Sequence, residues 1–153
     1  MKTYRAFTFL EVILTVTIMA ILITTVTAWT VDTLQRTELQ TSTEALVAEI
    51  RSLQTAAQKN YRNNNHGILL ESDQFTTYTG IDYDASEIED RQVTNLANTL
   101  EISTITLNGG GSEVVFMKGS GETNTSGSFQ IVKSNSGDST TISISEIGLI
   151  DWQ

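Results

Sequence analysis

From Val12 to Val31 the chain runs for twenty residues without a charge, and Asp32 ends the run. In helical form, about twenty residues rise about 30 Å, the thickness of a bilayer core. Everything after Asp32 is polar and mixed. A fold for this chain must therefore give an apolar cover to one N-terminal helix and a water-facing body to the remainder.

The body has the size of one domain, since 153 residues leave room for a single folded unit with appendages. Eighteen Asp and Glu against nine Lys and Arg give a formal charge of -9, so a polyanion is repelled and nucleic acid is disfavoured as a partner. The chain has no cysteine, which removes disulfides, thiolate metal sites and Cys nucleophiles together. A single histidine, His66, leaves His-based triads and clusters little to work with. With no proline, every turn falls to Gly, Asn, Asp and Ser.

Three ordinary explanations compete for the N-terminal segment: a cleaved secretory signal, a plain transmembrane anchor and a buried core helix. Each must account for Glu11. A secretory signal has an apolar core of about 7 to 15 residues and a small-residue cleavage site, which Val26-Thr27-Ala28 imitates, but the run here is longer and opens with a carboxylate. A plain anchor has no use for that carboxylate, because burying it in hydrocarbon costs on the order of 2 to 3 kcal/mol. The basic stretch Met1 to Ala6, with Lys2 and Arg5, holds the N-terminus on the cytoplasmic side and points the rest outward. Six threonines from Thr15 to Thr30 make the run more polar than a typical anchor, and their hydroxyls can bond to helix carbonyls or to neighbouring helices. A merely polar anchor stays open as the competing account of those threonines.

The order Lys2-Thr3-Tyr4-Arg5-Ala6, then Phe7-Thr8-Phe9-Leu10-Glu11-Val12, resembles the prepilin leader and signal of type IV pilins and type II secretion pseudopilins. The resemblance implies a leader of residues 1–6, cleavage between Ala6 and Phe7 by a membrane prepilin peptidase, and methylation of the new N-terminus at Phe7. It also implies that Phe7 and Glu11 serve subunit assembly, Glu11 engaging the N-terminus of a neighbouring subunit. The freed amine is positive and the carboxylate negative, and each lowers the desolvation cost of the other. The implied partners are other pilin subunits, the peptidase, an inner-membrane assembly platform and, before assembly, membrane lipid. The family usually has Gly where this chain has Ala6, and often a kinking Pro in the helix; without one, a less sharply bent helix is expected.

After Asp32 apolar residues fall at Leu39, Leu46, Ile50, Leu53 and Ala57, with Val47 and Tyr61 beside them, which is helical spacing. Glu38, Glu44, Glu49, Arg51 and Lys59 take the other face. The spacing predicts one helix from Phe7 to Tyr61, roughly 80 Å long, lipid-like over residues 7–31 and amphipathic over residues 32–62, and the pilin resemblance implies that residues 7–31 also serve polymerisation. Asn63-Asn64-Asn65-His66-Gly67 reads as its stop, with His66 capping the helix end.

Residues 63–153 read as a β-rich head. Strands are expected at Ile68 to Glu71, Gln74 to Thr79, Leu100 to Leu107, Glu113 to Met117, Gly127 to Lys133 and Thr140 to Ser145. Gly109-Gly110-Gly111, Gly119-Ser120-Gly121 and Ser134 to Asp138 separate them as turns rather than phosphate loops, since none opens a helix. The expected fold is α+β, a long N-terminal helix packed on a small antiparallel sheet. The spacing of the last strands loosely resembles the GspH and FimT group of minor pilins.

The densest acidic stretch, Asp82 to Asp90, offers Asp82, Asp84 and Glu87 as weak calcium candidates. The EF-hand pattern fails there, with Glu87 in place of the turn Gly and Val93 in place of the bidentate Glu, so a solvated loop is the stronger reading. No cofactor is expected. Asn124-Thr125-Ser126 matches a glycosylation pattern, and Arg51, Lys59 and Arg62 make a small positive patch near the helix end. With no paired nucleophile and base, an enzyme is not expected. The function expected is a structural subunit of a pilus or pseudopilus, with a low-abundance tip, priming or binding subunit as the alternative. The expected location is a single-pass inner-membrane protein with its C-terminal part outside the cytoplasm, later in an extracellular pilus or periplasmic pseudopilus.

Overall fold

A computed structural model describes residues 8–153, with residues 25–36 described by their backbone alone. The leader and the Ala6–Phe7 junction expected from the sequence lie outside the described residues. The chain divides into two compact units, Met1–Glu38 and Leu39–Gln153. Helix α1, Phe9–Gln58, contributes to both.

In the first unit, Thr8 precedes α1 as its N-cap: the Glu11 N–H donates to the Thr8 carbonyl at 3.0 Å and to Thr8 Oγ1 at 3.4 Å. Thr8-x-x-Glu11 is thus a capping-box sequence, and Glu11 stands in the first turn, where a negative charge suits the helix dipole.

In the second unit, α1 buries Leu39, Thr43, Leu46, Val47, Ile50, Leu53 and Ala57, steps of three and four that make one stripe. The helix stops at Gln58, earlier than the spacing predicts, because Asn60 turns left-handed at φ 54°. The Ala57 carbonyl then accepts from Asn60 N–H at 2.9 Å and from Gly119 N–H at 2.7 Å, which satisfies one of the helix's orphan acceptors. Tyr61, expected on the stripe, falls instead in a short 3-10 turn and is exposed.

Eight strands follow: β1 His66–Leu70, β2 Gln74–Thr79, β3 Gln92–Asn95, β4 Leu100–Leu107, β5 Glu113–Phe116, β6 Gly127–Lys133, β7 Ser139–Ile144 and β8 Ile150–Trp152. They form two four-stranded antiparallel sheets rather than one, ordered β3-β2-β1-β5 and β4-β6-β7-β8. Ile68, Leu70, Val114 and Phe116 from the first sheet and Ile102, Phe129, Ile131 and Ile142 from the second join the helix stripe in a single core. Gly67, expected to end the helix, lies inside β1, where the ring of Tyr78 sits over it and fills the space a Cβ would take. Gly127 is needed for a similar reason: at φ 153°, a Cβ there would run into the backbone of Thr106 and Leu107, where the β4–β6 register shifts.

Candidate functional site

Every described side chain from Thr8 to Thr24 is exposed, and the apolar ones occupy all sides of the helix, from Phe9 at 82% to Ile23 at 64%. A helix that is apolar all round is stable only when lipid or protein covers it. Its hydroxyls are already satisfied from within. Thr15 Oγ1 donates to the Glu11 carbonyl at 3.0 Å, Thr17 to Ile13 at 2.7 Å and Thr24 to Ala20 at 3.1 Å. Such bonds remove most of the cost of placing threonine in an apolar medium. Among the described residues no helix is long and apolar enough to cross a membrane.

Glu11 is exposed, and its carboxylate bonds to nothing among the described residues. It is the one charge among the residues from Thr8 to Thr24, on an otherwise uncharged and apolar surface.

The acidic loop between β2 and β3 is fixed rather than loose. Arg91 Nη2 donates to the Tyr83 carbonyl at 2.6 Å and to the Ser86 carbonyl at 2.8 Å, and Nε donates to Ser86 Oγ at 2.9 Å. The same guanidinium lies 4.1 Å from the Tyr83 ring centroid, a cation–π contact. Arg62 closes the end of the loop through an ion pair with Asp90. Among the expected calcium candidates, Asp82 accepts from Ala85 N–H at 2.7 Å, while Asp84 and Glu87 are exposed. Among the described residues no three or more His, Asp or Glu side chains are grouped to hold a metal ion.

Beneath this loop, Tyr78 is buried in β2 and its hydroxyl donates to Glu113 Oε2 at 2.8 Å. The same oxygen accepts from Tyr83 N–H at 3.2 Å. Burial, then the bond to the Glu113 carboxylate, raise the Tyr78 hydroxyl well above the usual tyrosine range. His66 is buried at the start of β1. Its Nε2 donates to the Tyr61 carbonyl at 3.1 Å, so it does bond just past the helix end, from a strand. Asn124 is exposed, but its neighbour Thr125 spends its hydroxyl on Val115 N–H at 3.1 Å and on Thr123 Oγ1 at 3.0 Å.

No protein-family model matches the chain, and no curated protein sequence matches it. Its structure is similar to that of the minor pseudopilin EpsH from the type 2 secretion system of Vibrio cholerae, with a TM-score of 0.57 at 14% identity. The match covers 76% of this chain and 96% of that one. The chain has a pilin-like fold of the pseudopilin type, α+β with antiparallel sheets against the second half of α1.

Proposed function

We propose that this chain is a filament subunit, of a type IV pilus or a secretion pseudopilus, held in a membrane by its N-terminal helix and then drawn into a bundle of such helices. The observation that carries the proposal is the conjunction of a pseudopilin-type head with a helix that is apolar on every side from Phe9 to Ile23. A head with its own buried core needs no such helix to fold, so the exposed apolar surface answers to something outside the chain. In lipid the surface is covered by acyl chains, and in a filament by the same helix of other subunits, so little free energy is lost in passing from one to the other.

In this reading a prepilin peptidase cuts between Ala6 and Phe7, Phe7 is methylated, and the new amine meets Glu11 of a neighbouring subunit. An assembly platform lifts the helix from the inner membrane while the head stays outside the cytoplasm. The role is mechanical rather than catalytic. Intact mass of the protein recovered from membranes tests it: a species beginning at Phe7 with one added methyl group is expected, and an unprocessed chain beginning at Met1 sinks it.

A second reading, a low-abundance tip or priming subunit, is favoured by the likeness to a protein that is itself a minor pseudopilin. Quantitative mass spectrometry of sheared filaments separates the two, since a bulk subunit dominates the fraction and a tip subunit is scarce.

A further inference from the structure

The head carries six cations, and four are engaged: Arg62 with Asp90, Arg91 with Tyr83 and Ser86, Lys118 with Asn63, and Lys133 inside the core. The other two, Arg51 and Lys59, line one open groove along α1, with Thr55, Ala56 and Tyr61 between and beyond them. Arg51 lies over the Trp152 ring at 5.0 Å and reaches the Ile150 carbonyl at 3.5 Å, but neither cation meets a carboxylate among the described residues. Both are open to an anion from outside, in a chain of net charge -9.

The complementary surface is on the same head. Asp84, Glu87 and Glu89 are exposed on the β2–β3 loop and meet no cation among the described residues. Beside them Ile81 and Ile88 are 72% and 81% exposed. Arg91 and the Glu113 contacts hold this loop in one shape, so its ordering is complete before any partner arrives.

We propose that the Arg51–Lys59 groove receives the acidic loop of a second copy of this chain, the carboxylates meeting the two cations and the isoleucines covering Ala56 and Tyr61. Groove and loop adjoin on one head, since Ala56 and Tyr61 of the groove also line a second cavity with Glu89 and Asp90. The contact joins unlike surfaces, the groove of one copy and the loop of another. Opposite charges choose the partner and its register, and the apolar residues hold it. This rests on the reading of the chain as a filament subunit and adds a head-to-head contact to it.

Because the chain has no cysteine, single cysteines in differently tagged full-length copies test the contact by oxidative cross-linking in membranes. Lys59→Cys with Glu87→Cys is expected to give mixed dimers severalfold above Lys59→Cys with Ser136→Cys, a turn residue outside the contact. Raising the salt toward about 1 M, where screening shortens to about 3 Å, is expected to reduce the yield severalfold. Charge reversal at Arg51 and Thr55-flanking Lys59 should abolish contact with unaltered loops and restore it with a Glu87→Lys, Glu89→Lys partner. Leu14→Cys pairs report on the helices independently. Helix cross-links without head cross-links overturn the head contact and leave the filament reading standing. Absence of both overturns both.

Discussion

Tyr78 and Glu113 join β2 to β5 across the first sheet, the buried tyrosine hydroxyl donating to Glu113 Oε2 at 2.8 Å, while β1 separates the two strands. The bond also sets the floor of the acidic loop, because the same carboxylate oxygen accepts Tyr83 N–H. Tyr78→Phe removes a donor from a carboxylate and is expected to cost about 1 to 3 kcal/mol of head stability by denaturant unfolding.

The same pair dictates a pH dependence. Ionised Tyr78 is disfavoured in the folded head, by burial first and by Glu113 second, and its hydroxyl is raised above the ordinary value of 10.0. A group raised on folding stabilises fully below its unfolded value and loses that contribution as pH rises beyond it. The head is therefore expected to lose stability progressively above pH 10.0, with a shallower loss in Tyr78→Phe. Unfolding midpoints measured from pH 9 to about 12 check this, and parallel slopes for the two proteins would refute it.

Gly67 and Tyr78 are coupled through contact. Gly67→Ala puts a methyl group where the Tyr78 ring lies, and overpacking of this kind costs about 1 to 3 kcal/mol. In Tyr78→Leu the ring is gone, so the added methyl is expected to cost much less. A double-mutant cycle reads the coupling directly, and strict additivity would show that the ring does not constrain the glycine.

Arg91→Lys keeps the charge and loses the planar fork that binds two carbonyls and a hydroxyl at once. Faster hydrogen exchange at Ala85 and Ser86, with the core strands unchanged, is the expected result.

This loop also marks the limit of what the sequence discloses. Its acidity is plain in Asp82 to Asp90, but an arginine that closes a loop onto main-chain carbonyls leaves no spacing signature, so Arg91 was not legible. β2, β4 and β6 begin and end where alternation and glycine turns place them, because period two and a buried face determine them locally. β3 was missed since all four residues are exposed and no apolar face declares it, and β8 since three residues are too few for a pattern. The division into two sheets depends on partners distant in sequence, such as β1 with β5, which local patterning does not encode. In the helix, the buried stripe was legible from Leu39 to Ala57, whereas its end is set by Asn60 turning left-handed, and the glycine expected to stop it, Gly67, lies inside β1.

Glu11 admits two physical roles, and Thr8 separates them. As the acidic member of a capping box, Glu11 only supports the first turn, and losing either partner costs about 1 kcal/mol of helix stability. Thr8→Ala and Glu11→Ala should then behave alike. As the anion that neutralises the amine of another subunit in a bundle, Glu11 is worth a few kcal/mol, since removal of one partner strands the other charge away from water. Glu11→Ala and Glu11→Leu are then expected to remain membrane-inserted yet fall about tenfold or more in sheared filaments, while Thr8→Ala changes little. Because Glu11→Leu makes the helix more apolar, its retention in the membrane fraction is secure, and any loss from filaments reports on assembly alone. Equal incorporation of all three variants would assign Glu11 to the helix end.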